Sequence, residues 1–140
     1  MDNSQIDLEE FRLEYLDTLN EEILKIEIEL LKLENSNDGS PTNTLYEIFR
    51  IVHSLKGSAG SYEFYILTTI FHQFEDFINS HSGKPLTEEL SSTCFKFLDI
   101  ARDCALDYKE GSTDMSKYLT LIEGQTTQES TTNGKMLLID

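Results

Sequence analysis

The sequence predicts an all-α protein, an up-and-down four-helix bundle with a short fifth C-terminal helix. Three observations predict it. Apolar residues recur at steps of three and four along several long segments. Clusters of turn-forming residues separate those segments. No strand pattern competes within residues 1–124. Helices with one apolar stripe each and short connections bury their stripes by packing antiparallel.

The first segment runs from about Leu8 to Leu33, with a stripe of Leu8, Phe11, Tyr15, Leu19, Ile23, Ile26, Leu30 and Leu33. Asp7 and Glu10 have capping-box spacing and predict its start. Residues 35–41, Asn-Ser-Asn-Asp-Gly-Ser-Pro, break the pattern. Thr44 and Glu47 repeat the capping-box spacing and open a second segment, whose stripe is Leu45, Ile48, Phe49, Val52, Leu55, Ala59 and Tyr62. The third carries Ile66, Leu67, Ile70, Phe71, Phe74, Phe77 and Ile78 and ends at Ser80–Pro85. Thr87 is the expected N-cap of the fourth, followed by Glu88 and Glu89 at the positive end of the helix dipole. Its stripe runs from Leu90 through Cys94, Phe97, Leu98, Ala101, Cys104 and Ala105 to Tyr108. Glu110-Gly111-Ser112 turns the chain into the short fifth helix, with Met115, Tyr118, Leu119 and Ile122. The domain reading is a bundle over 1–124, a polar linker over 125–134 rich in Thr and Gln, and an apolar strand-like run over 135–140 that opens a further domain.

Charge narrows the function. The 140 residues include 26 acidic and 11 basic side chains and three histidines, for a net charge of −15. Such a chain is a poor ligand for nucleic acid or for anionic lipid, which both need clustered Lys and Arg. No apolar run approaches the roughly 18 residues of a membrane span. The N-terminus lacks the basic-then-apolar order of a signal peptide, so the expected location is the cytoplasm. Cys94 and Cys104 lie ten residues apart on one stripe. That is about 15 Å along a helix, beyond disulfide reach, so both are expected as buried thiols.

One stretch does not read as core or solvated face: Val52-His53-Ser54-Leu55-Lys56-Gly57-Ser58-Ala59-Gly60. On a helix, His53, Lys56, Gly57 and Gly60 share a face at the edge of the buried stripe. Each interior glycine costs about 1 kcal/mol relative to alanine, and both clear bulk from beside the histidine. A nucleophilic imidazole, an adjacent ammonium and room for a large partner are what acceptance of a phosphoryl group requires. His72 and Glu75 share a face of the third helix. Antiparallel packing of helices two and three brings Glu75 to the height of His53. A carboxylate there holds the Nδ1 proton and leaves Nε2 as the nucleophile.

A zinc site built from His53, His72 and Glu75 is the sharpest rival. Lys56 opposes a cation there and no fourth ligand is evident, so no metal is expected. The other alternative is a helical adaptor or dimerisation module in which His53 is incidental and the long first helix mediates association.

His53-Ser54-Leu55-Lys56-Gly57-Ser58-Ala59-Gly60 resembles the phosphorylation motif of histidine phosphotransfer (HPt) domains, particularly the N-terminal domain of chemotaxis histidine kinases. The resemblance covers roughly residues 5–124. It extends to the Phe11–Leu33 helix, to Ile48-Phe49-Arg50 and to His72 with Glu75. It implies phosphorylation of His53 on Nε2, Lys56 near the phosphoryl group, and Gly57 giving space to a docking partner. It implies Glu75 bonded to the histidine and His72 as a second histidine in that network. Gly60 falls on the same docking face. Relatives of the chemotaxis type often carry glycine where Glu63 stands. That difference bears on the turn after helix two and adds a negative charge near the partner surface.

Lys135–Asp140 resembles the first strand of a response-regulator receiver domain, ending at the first of its acidic metal-binding residues. The expected partners are a receiver domain, a histidine kinase catalytic domain, or both. Magnesium is expected in the partner and no cofactor in this domain. The chain has no glycine-rich nucleotide loop, so it reads as a phosphoryl carrier rather than a kinase.

Overall fold

The computed structural model describes residues 3–34, 41–84, 87–112 and 114–125. Four long helices follow one another: α1 (Asn3–Glu34), α2 (Pro41–Ser61), α3 (Tyr65–Ser80) and α4 (Glu88–Lys109). A fifth, α5, spans residues 117–125. No strand occurs among the described residues. The expected linker and the run 135–140 lie outside those residues, except that α5 continues through Gly124 to Gln125, where the linker was expected to begin.

The four long helices form a ring in which each packs on its chain neighbours and α1 closes onto α4. All four seams are antiparallel. Along α1 and α4, Asp17 meets Lys109, Glu27 meets Arg102 and Glu34 meets Ser91, so one number falls as the other rises. Along α3 and α4, Ile66 meets Tyr108 and Phe74 meets Phe97. This is the predicted up-and-down bundle.

The predicted stripes form its core. Leu19, Ile23, Ile26 and Leu30 of α1, Ile48, Val52 and Ala59 of α2, Leu67, Ile70 and Phe71 of α3, and Phe97 and Leu98 of α4 are all sealed from solvent. The rings of Phe74 and Phe97 stack 5.0 Å apart across α3 and α4. Met115, Tyr118 and Ile122 are buried and attach the α5 segment to the same core. Cys94 and Cys104 are buried free thiols. Burial pushes each up to about 12, so neither ionises at neutral pH.

Several boundaries differ from expectation. The helix α1 begins at Asn3, ahead of the capping box at Asp7. Leu8 and Phe11, expected in the core, are 50 and 53 % exposed. The physical reason is overhang: Arg12 meets the turn after α2, and these two residues precede it. Leu16, one position beyond the expected stripe, is buried instead. Pro41, assigned to the turn, is the first residue of α2, ahead of Thr44. Proline suits a first helical position, because its φ is preset and its missing N–H has no helical partner there. At α4 the expected cap is present: Thr87 accepts a hydrogen bond from the Leu90 amide at 3.0 Å.

Candidate functional site

The site forms on the seam between α2 and α3. Its polarity begins with two helical facts. His53 leans outward at the edge of the α2 stripe, because Val52 takes the buried position beside it. Glu75 follows Phe74 on α3 and so emerges beside the core, where only 11 % of its side chain is exposed. The antiparallel seam brings the two to one height.

The Glu75 carboxylate then accepts two bonds. Its Oε2 lies 2.6 Å from Nδ1 of His53, and its Oε1 accepts from Nζ of Lys56 at 2.8 Å. Burial alone would raise the Glu75 pKa. Hydrogen bonds from Lys56 and His53, together with their charge, outweigh it and hold the carboxyl below its ordinary value. An ionised carboxylate only accepts, so the proton in the His53 contact belongs to Nδ1. In the neutral ring with that tautomer, the lone pair is on Nε2. The His53 side chain is 63 % exposed. One turn earlier on α2, the Phe49 ring lies nearly parallel to the imidazole, 6.2 Å away at an interplanar angle of 12°.

Gly57 and Gly60 leave room on the same face. A Cβ at Gly57 would meet nothing within 4 Å, and one at Gly60 only Thr68 Oγ1 at 3.8 Å. Neither has a positive φ. Neither internal packing nor backbone conformation therefore asks for glycine here.

His72 lies beside Glu75 on α3. Its Nε2 reaches Oδ2 of Asp76 at 3.4 Å, one turn along α3, and its side chain is half exposed. The resemblance implies His72 in the His53–Glu75 network; the ion pair it makes is with Asp76, beside Glu75. Ligand atoms of His72, Glu75 and Asp76 lie within 4.8 Å of one another. Both Glu75 oxygens already accept bonds, and the Lys56 ammonium sits on one of them. That donor set favours an ion-pair network over a bound cation.

The turn after α2 holds the site's far end. The Phe64 amide bonds to Ala59 O at 2.9 Å and the Glu63 amide to Gly60 O at 3.0 Å, which together form a Schellman cap. Its left-handed position falls on Glu63, with φ 64. The backbone thus adopts a glycine-type turn without the glycine. Arg12 of α1 donates from Nε to Tyr62 O at 2.9 Å and lies over the Phe64 ring, 4.5 Å from its centroid. Nothing in the sequence pointed to Arg12 or Asp76. Phe49 was legible as an i−4 neighbour of His53 but read as core.

A family model described as Hpt domain matches residues 10–106. The chain belongs to the Hpt domain family. It is also 28 % identical over 109 residues to a chemotaxis protein CheA of Rhizobium meliloti (strain 1021). That alignment takes in 76 % of this chain but only 14 % of the relative's length. Hpt domains carry phosphoryl groups on histidine in two-component signalling and are not themselves kinases. Among the described residues, no helix of this Hpt domain is long and apolar enough to cross a membrane.

Proposed function

We propose that His53 is the phosphoacceptor of this Hpt domain and that it exchanges phosphate with a receiver-domain aspartate or takes it from the ATP-binding domain of a histidine kinase. The observation that carries the reading is the single ring whose Nδ1 rests on an ionised carboxylate while the rest of the imidazole faces solvent. In transfer from a receiver, the Nε2 lone pair attacks the phosphorus of the aspartyl phosphate. The N–P bond forms, the P–O bond breaks, and the aspartate leaves as a free carboxylate. Glu75 steadies the positive charge on the ring and fixes its tautomer. Lys56 stands within reach of the phosphoryl oxygens, and Gly57 and Gly60 let the partner's surface close in. His72, paired with Asp76 and next to Glu75, is a second histidine in the His53–Glu75 network. The partner supplies magnesium and most of the electrostatic catalysis.

The bundle of residues 1–124 is the carrier unit in this reading. Residues 125–134 tether it, and 135–140 begin a receiver. The chain works in the cytoplasm, where its partners are. Incubation with a receiver charged by a small acyl phosphate, in the presence of magnesium, tests the proposal. Label appears on the chain in an acid-labile, base-stable form, and His53→Gln abolishes it. Undiminished label on His53→Gln, or no label from any receiver or kinase domain, overturns the assignment.

A further inference from the structure

A second apolar stripe runs along the outside of α1. Leu13, Leu24, Ile28 and Leu31 are 39, 55, 43 and 48 % exposed. At about 100° per residue they fall within about 60° of one another, on the side away from the core stripe, and span about 27 Å. They take no part in the His53 site, which lies on α2 and α3, whereas α1 packs on α2 and α4. Asp17 interrupts the strip between Leu13 and Leu24 and is paired with Lys109 of α4; exposed apolar residues scattered singly need no explanation, whereas four on one face of one helix do.

The charges beside the strip indicate its occupant. Glu14, Glu21, Lys25 and Lys32 lie along one edge of it, within about 40° of one another. Glu21 and Lys25 are symmetric in sequence about position 23, and so are Glu14 and Lys32. A two-fold axis crossing α1 at that level lays a second α1 antiparallel on the first and sets the same edge of each helix side by side. Lys25 then faces Glu21 of the other copy, and Lys32 faces Glu14. Leu24 packs beside its own symmetry mate, and Leu31 falls near Leu13. The two lysines have partners within their own helix, Glu22 at 3.0 Å and Glu29 at 3.4 Å. Those are exposed pairs one turn apart, of the kind that contributes little and exchanges readily. An anionic membrane does not fit a strip edged by Glu14 and Glu21 on a chain of net charge −15.

We infer that the outer face of α1 is a self-association surface, where two copies of this chain pair antiparallel through Leu13, Leu24, Ile28 and Leu31. Four apolar and four charged side chains are far fewer than the roughly 20–30 residues a side of a standard interface, so the dimer is a weak one. Because the contact is on α1, both His53 rings stay open and one dimer presents two phosphoacceptor faces.

Sedimentation equilibrium of the 140-residue chain, from micromolar to millimolar concentration, tests this. Physiological salt is used, where a Debye length of about 8 Å screens the net charges of distant faces. The chain is expected to associate to a dimer and no further. Leu24→Glu, at an exposed position that leaves the core intact, should raise the dissociation constant about tenfold or more. Lys25→Glu/Lys32→Glu and Glu14→Lys/Glu21→Lys should each weaken self-association, whereas a mixture of the two variants should form a heterodimer. A chain that stays monomeric throughout overturns the inference. Association that Leu24→Glu leaves unchanged, or charge-swapped variants that fail to pair when mixed, overturns it as well.

Discussion

Charged side chains bridge two opposite seams of this bundle, but at different depths. Between α1 and α4, Arg102 holds Glu27 at 2.7 Å, and Lys109 holds Asp17. These side chains are partly or largely in solvent, and such pairs contribute about 0.2–1 kcal/mol. Between α2 and α3, Glu75 is nearly enclosed, and each of its oxygens takes a donor. Burying a carboxylate costs several kcal/mol of hydration, and here the bonds and charges of Lys56 and His53 outweigh that cost and hold the carboxyl ionised. The outer pairs thus serve the fold. The inner one ties α2 to α3 as well, and it also rests on the His53 ring.

The sharpest way to break this contrast is to remove the charge from each seam in turn. Glu75→Gln keeps the volume and loses the anion. Phosphotransfer to His53 is expected to fall about 10–100-fold in single-turnover assays, as when a carboxylate that orients a functional imidazole is lost. Arg102→Ala on the other seam should lower stability by less than about 1 kcal/mol and leave the transfer rate unchanged. Acid separates the two variants again. The folded-state pKa of Glu75 is depressed, so the unfolded chain binds the proton more readily. The stability this group contributes is therefore present above the ordinary carboxylate pKa of about 4.5. It is lost as pH falls through the lower folded value. Urea midpoints of wild type and Glu75→Gln should diverge at neutral pH and approach each other below about pH 4. Equal transfer rates in wild type and Glu75→Gln would erase the distinction between the seams.

The same contrast governs what the sequence reveals. The bundle was legible because burial imposes a period. Ile23, Val52, Phe71 and Leu98 announce themselves at helical spacing, and all four are sealed inside. The His53–Lys56–Gly57–Gly60 face was legible for the opposite reason, since two glycines contradict helix propensity without a core to explain them. Residues joined only by tertiary contact left no such trace. Arg12 meets Tyr62 across 50 positions, and no spacing rule links them. His72 pairs with Asp76, an i+4 carboxylate that helical spacing allows but does not single out. Leu8 and Phe11 kept the helical period but lay beyond the neighbours that would have buried them. Periodicity gives a side chain's direction but not whether anything stands there.

Gly57 sharpens the contrast by setting stability against function at one atom. Gly57→Leu adds a side chain into open space and replaces the second-worst helix former with a good one. The variant should melt higher, gaining up to about 1 kcal/mol. It should also bind a phosphorylated receiver about tenfold more weakly, because the new side chain occupies the partner's path. Calorimetry and the substrate dependence of transfer read the two effects separately. A variant that gains stability and keeps its affinity for the receiver would show that no docking partner needs the space at Gly57.

The turn joining α2 to α3 is the smallest test and joins the two seams, since Arg12 reaches it from α1. Glu63 holds φ 64 at the left-handed position of a Schellman cap. A residue with a Cβ loses roughly 1–2 kcal/mol there. Glycine escapes that cost but gives part of it back, because it has more freedom to lose on folding. Glu63→Gly should therefore stabilise the domain by about 1 kcal/mol net, measured by urea unfolding with an unchanged m-value. Its hydrogen bonds from Phe64 to Ala59 and from Glu63 to Gly60 are backbone bonds and survive the change. Glu63→Ala distinguishes strain from charge. It removes the same carboxylate but keeps the Cβ, so it should leave stability within about 0.5 kcal/mol of wild type. Equal stabilisation by the two substitutions would mean that the carboxylate, rather than the backbone, was the burden at this turn.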